Sequence, residues 1–200
     1  SYKELLVLTG DYNIIDNYTF FREATNALTG ETDLKRLAVV NQANSQIKYY
    51  SFKLFSKIDI GKFSLVNTAK YQQKEQEVSP GNLSTLNLPE WITRNTLMYS
   101  ANIFNKSLFV QTGLTFNYFT KYFADHYNPL ISEFVTQNYR EIGDFPRFDF
   151  FFNAKIQQTR VFIKVEHLNS SFTGYDYYSD PFSPYRDMSI RLGLVWNFFS

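Results

Sequence analysis

The chain contains two histidines and no cysteine, which confines catalytic or metal chemistry to very few positions. Neither His126 nor His167 has a second histidine at ligand spacing such as H-x₃-H, so no metal site is expected. Glu166-His167 sets a carboxylate beside an imidazole, but no G-x-S-x-G elbow accompanies it, and no enzyme is expected. Asp176 and Asp180 lack the D-x-[DN]-x-[DN]-G order of a calcium loop. Asn17-Tyr18-Thr19, Asn82-Leu83-Ser84 and Asn169-Ser170-Ser171 match a glycosylation acceptor, a pattern too short to carry weight by itself. Without thiols there is no disulfide framework and no thiolate site. No cofactor is implied.

What remains is charge in a pattern. Lys53, Arg94, Asp149, Lys155, Arg160, Lys164, Glu166 and Arg191 recur opposite apolar residues. Side chains in a strand alternate between faces, so such charges project from one side. Lining a wet interior, they would bias which ions pass. The plainer reading, and the one favoured, is that they are simply solvated inward residues, since water-filled interiors are polar anyway. Their signs are mixed, so weak selectivity is expected. Across the chain, 20 Lys+Arg meet 19 Asp+Glu, a net charge of +1, which excludes the footprint of a generic nucleic-acid binder.

The elements that must position these charges are strands. Ile190, Leu192, Leu194, Trp196 and Phe198 form an almost wholly apolar face, opposed by Ser189, Arg191, Gly193, Val195, Asn197 and Phe199, a face mostly polar or small. The pattern recurs over Leu108–Tyr118, Phe148–Ile156, Leu97–Ile103 and Val161–Val165, with Phe162 an exception, and blurs over Tyr12–Phe21. Tight turns are expected at Thr9-Gly10-Asp11, Asp59-Ile60-Gly61-Lys62, Asn105-Lys106 and Gln157-Gln158. Long polar stretches separate them at 22–34, 76–90, 124–144 and 170–187, and a helical or irregular insert is expected at 33–41. The count is about nine strands: 2–8, 12–20, 46–57, 62–75, 91–104, 107–121, 147–156, 160–169 and 188–199.

Several of these strands exceed the usual soluble length, and short turns alternate with long loops. That layout belongs to a transmembrane antiparallel up-and-down β-barrel, with periplasmic turns and extracellular loops. Phe, Tyr and Trp make up 19% of the chain, while the mean hydropathy is −0.31. Aromatics gather near strand ends, as interfacial girdles require: Trp91, Tyr118, Phe119, Tyr122, Trp196 and Phe198. His167 shares the apolar register and reads as interfacial. His126 reads as a loop residue, solvated or packed. The Tyr175–Asp180 cluster could contact a ligand or partner. A soluble β-sandwich would also alternate, but has no need of girdles.

The run Phe145-Pro146-Arg147-Phe148-Asp149-Phe150-Phe151-Phe152-Asn153-Ala154-Lys155-Ile156 resembles the penultimate hairpin of the Bacteroidetes-type putative porins. Its partner Thr159–Asn169 is similar too, as is Pro184-Tyr185-Arg186-Asp187 followed by Arg191–Phe199, the closing strand of that family. The resemblance implies an all-β outer-membrane pore for small hydrophilic solutes, without enzymatic activity. It implies contact with outer-membrane lipids and lipopolysaccharide, and other outer-membrane proteins as partners. An aromatic-ended last strand, here Trp196, Phe198 and Phe199, would be read by the barrel-assembly machinery. Ser200 after Phe199 departs slightly from a terminal aromatic. Members of the family run to several hundred residues. An odd strand count with a periplasmic C-terminus would set Ser1 on the loop side, so the chain is expected to be the C-terminal portion of a larger barrel. The alternative is that Tyr2–Leu8 is no strand and eight strands close alone. An anchoring or docking barrel without an open pore is the competing function.

Overall fold

The computed structural model describes residues 2–24, 38–77, 84–174 and 177–198. Fourteen strands follow in chain order: β1 Tyr2–Ile15, β2 Thr19–Glu23, β3 Ala38–Gln42, β4 Ile47–Ile60, β5 Phe63–Gln76, β6 Trp91–Ile103 and β7 Leu108–Phe119, then β8 His126–Asn128, β9 Glu133–Thr136, β10 Arg147–Ile156, β11 Thr159–Glu166, β12 Tyr178–Asp180, β13 Ser183–Pro184 and β14 Ser189–Trp196. Among the described residues there is no helix.

Eight strands form one antiparallel meander in the order β1-β4-β5-β6-β7-β10-β11-β14. Alternating β-branched and aromatic residues favour such half-covered strands. Tight connections join β4 to β5 through Gly61-Lys62, β6 to β7 through 104–107, and β10 to β11 through Gln157-Gln158. Gly61 has a φ of +62°, which the first position of a primed two-residue hairpin turn demands. All long connections leave the opposite end of the sheet.

The turn expected at Thr9-Gly10-Asp11 does not form. β1 runs unbroken through it, paired with β4 from Tyr2↔Ile60 to Ile15↔Ile47. Gly10 faces Phe52, whose ring lies 3.6 Å from where a Cβ would stand, and the ladder continues on both sides. The main sheet therefore has eight strands rather than nine, and residue 2 lies at the hairpin end rather than the loop end. The sheet is also not closed: β1 and β14 stand at its two edges. The alternative in which eight strands close alone is thus corrected to an open, eight-stranded antiparallel sheet.

The loop end is more ordered than the polar composition suggested. Segment 12–20 divides between the end of β1 and the start of β2. β2 joins a four-stranded sheet, β3-β2-β9-β8, built from the long connections. Residues 38–41 of the expected insert form part of β3, and 33–37 lie outside the described residues. Phe20 of β2 packs with Ala43 and with Ile47 at the start of β4 in a small buried cluster that joins this sheet to the main one.

Candidate functional site

Cross-strand partners share a face, so the register of the eight long strands sorts every side chain. One face carries Leu6, Leu8, Phe52, Leu54, Leu65, Leu97, Leu114, Phe150, Ile163 and Leu192. Leu8 is 75% exposed and Leu192 73%. A water-soluble monomer rarely presents so wide an apolar surface. The only charges of described side chains on this face are Lys48 and Glu75, opposite each other at the loop end.

The band has aromatic borders. Tyr71 and Trp91 pack at 4.9 Å between ring centroids at its loop-side edge, and Phe63 and Tyr99 at 5.2 Å on the hairpin side. Eight residues separate these levels along β5, roughly 27 Å of strand and about 20 Å across a membrane at a 45° tilt, close to the lipid-facing band of a barrel. Midway lie Ser56, Asn67 and Asn95, and these polar groups bond locally. Asn67 donates to Ser56 Oγ at 3.2 Å, and Asn95 donates to Thr93 Oγ1 at 2.9 Å.

Of the aromatics expected in the girdles, Trp91 and Tyr118 sit at the loop-side level of the apolar face. Trp196 stacks on Phe198 at 4.8 Å beside the β10–β11 hairpin. Phe119 and Tyr122 belong elsewhere. Phe119 is in register with Ile92, on the opposite face from Trp91. It meets Tyr122 at 5.9 Å and Phe145 at 5.6 Å, both edge-on. These two therefore pack beneath the loops instead of joining the ring. Phe199 and Tyr175-Asp176 lie outside the described residues.

The second face carries all eight expected charges. Lys53, Arg94, Asp149, Lys155, Arg160, Lys164, Glu166 and Arg191 fall on it in common register. Lys57, Lys70, Lys74, Arg147, Asp11 and Asp59 share that face in addition to the eight expected charges. Simple continuation of the alternation through β4 and β5 would have found the four lysine and aspartate positions there. Phe162, the exception in the pattern, is explained by Gly193, its cross-strand partner. The ring lies over the glycine, where a Cβ would come within 2.1 Å of it. Phe151 covers Gly113 in the same way.

Two carboxylates organise the loop-side end of this face. Glu166 accepts from Lys164 at 2.6 Å and pairs with Arg186 at 2.7 Å and Arg191 at 3.0 Å. Asp149 accepts from the His167 backbone N–H at 2.9 Å and from Asn117 at 3.3 Å. His167 itself leaves the strand with a φ of +55° and is fully buried. Its Nδ1 lies 2.9 Å from the Arg186 carbonyl, and its ring meets Tyr177 edge-on at 4.5 Å. The expected interfacial ring is instead a buried clasp between β11 and the following loop. His126 is buried in β8 against Phe182 at 5.2 Å, a loop-packing role. Among the described residues no group of acidic or histidine side chains could hold a metal.

The family model described as "Putative porin" matches residues 1–200, the whole chain. The chain belongs to this porin family. No curated protein and no solved structure matches it. Membership accords with a two-faced, all-β sheet whose apolar side is exposed and whose charges share the other side.

Beneath the porin's loops, burial pushes the Asp125 carboxyl above its ordinary value, against a hydrogen bond from Thr136 and the nearby His126 and Lys74. Its Oδ1 is buried without a hydrogen-bond partner among the described residues. A raised acid binds more protons folded than unfolded, so stability falls as pH rises from the ordinary carboxylate value through the raised one. The full cost is present above the raised value and absent at lower pH. Asp125→Asn is expected to abolish this dependence, making amide exchange around Asp125 slower at neutral pH. Equal exchange in both proteins at neutral pH would contradict it.

Proposed function

We propose that the chain forms wall of an outer-membrane pore through which small hydrophilic solutes diffuse passively. The observation that carries this reading is the division of one sheet into an exposed apolar face and a charged face. Lipid and lipopolysaccharide acyl chains would cover the first, and water the second. Lys53, Arg94, Asp149, Lys155, Arg160, Lys164, Glu166 and Arg191 would then line the lumen. Trp196, Phe198 and Phe199 would present the aromatic end read by the assembly machinery. In hydrocarbon an unpaired backbone edge costs several kcal/mol per group, so β1 and β14 must be paired in the membrane. Eight strands closing on themselves would leave an interior that side chains nearly fill. The pore reading therefore has further strands continuing the wall between β1 and β14.

The test is reconstitution of the native protein in planar bilayers. Discrete conductance steps, together with sugar-size-dependent swelling of proteoliposomes, are expected. Heat-modifiable, folded protein that gives no current would instead assign it to anchoring or docking other outer-membrane proteins.

A further inference from the structure

The chain as a whole is nearly neutral, yet its charged face is not. Ten cations lie there among described side chains: Lys53, Lys57, Lys70, Lys74, Arg94, Arg147, Lys155, Arg160, Lys164 and Arg191. Only four carboxylates accompany them: Asp11, Asp59, Asp149 and Glu166. Among the described side chains this face thus holds ten basic residues against four acidic ones, in a chain that carries 20 and 19. Three cation pairs stand directly opposite each other across neighbouring strands: Lys53↔Lys70, Lys155↔Arg160 and Lys164↔Arg191.

Like charges placed opposite one another destabilise a sheet. Lys164 and Arg191 share Glu166, and Lys70 donates to the Tyr49 hydroxyl at 3.0 Å. Lys155 and Arg160 make no ion pair among the described residues. Both are exposed. They border a cavity of about 390 Å³ with Gln111 and Asn153. The adjoining hollow, about 380 Å³, is lined by Arg94, Lys164 and the single carboxylate Asp149, and shares Asn153 and Phe162 with the first. The cations therefore form a ladder along the wall, from the Glu166 network through Arg94 to an unneutralised pair near the hairpin.

We infer that this face conducts anions in preference to cations, with Lys155 and Arg160 forming an anion-binding step near the hairpin end. The inference rests on the pore reading and replaces the weak selectivity expected from mixed signs. An incoming chloride or small carboxylate would neutralise two cations that the protein leaves opposed, and Gln111 and Asn153 offer amide donors beside them. A hydrated potassium ion would meet the same pair as a barrier.

Reversal potentials in a KCl gradient across planar bilayers test it. The native protein should favour chloride over potassium by about threefold or more, and Lys155→Gln/Arg160→Gln should bring that ratio down toward unity. Cation-selective or unselective current in the native protein overturns the inference, as does a ratio that the double substitution leaves unchanged. If no current flows, the pore reading fails separately. ³⁵Cl line widths of the protein in non-ionic detergent then decide on the binding step. Excess broadening that the double substitution reduces supports the step, and its absence overturns it.

Discussion

Leu97→Arg is expected to lower the stability of the protein folded in lipid vesicles by about 2–4 kcal/mol, the cost of an arginine near the middle of a barrel's lipid face. Leu97 lies two residues from Asn95, which is midway between Trp91 and Tyr99 on β6. Its cross-strand partners are Leu65 and Leu114, so an arginine would lack any polar neighbour at its own level. It is 53% exposed. Ser100→Arg places the same side chain three residues further on, on the charged face beside Gln111. That change should stay within about 0.5 kcal/mol, as surface substitutions usually do. Urea unfolding from vesicles, followed by the fluorescence of Trp91 and Trp196, measures both. If the apolar face met water, the order would reverse, because an exposed leucine loses nothing by becoming arginine. Equal costs would sink the assignment of faces.

The features legible in the sequence are those fixed by local period. β10 spans the expected 147–156, and β6, β7 and β14 fall within a few residues of their expected ends, because alternation and turn chemistry are both local. The common face of the eight expected charges follows from the same rule. Thr9-Gly10-Asp11 misled because a glycine beside an aspartate marks a turn only when no neighbouring strand claims the backbone. Here β4 pairs with every residue of β1, a contact about forty residues distant. The four-stranded sheet was hidden for a related reason. The β2–β9 pairing is parallel and joins Phe21 to Val135, a separation that no periodicity reveals. His167 sat on the right register for an interfacial ring, but its left-handed backbone takes it out of that register. Closure of the sheet is not a local property at all, since it depends on what pairs with β1 and β14.

Gly193→Val should cost about 1–3 kcal/mol despite valine's better strand propensity, because overpacking outweighs a preference that spans only about 1 kcal/mol. A Cβ at Gly193 would meet the Phe162 ring at 2.1 and 2.2 Å, so the ring must swing off the sheet on its charged side. The obstacle is a side chain, and removing it should restore room. Phe162→Ala in the Gly193→Val background is therefore expected to recover most of the loss, a coupling of the kind contacting residues show. Gly113 supplies the contrast. Its Cβ would meet the Phe151 ring at 2.9 Å but also the Leu97 carbonyl oxygen at 2.3 Å, which belongs to the backbone of β6. Truncating Phe151 leaves that oxygen in place, so Phe151→Ala should fail to rescue Gly113→Val. Urea unfolding of the four variants distinguishes the cases. Rescue at both positions, or at neither, would mean that the two aromatic–glycine pairs do not constrain the sheet as their geometry implies. The pairing at Gly193 also shapes the charged face, since Phe162 lines both hollows there and a displaced ring would change both.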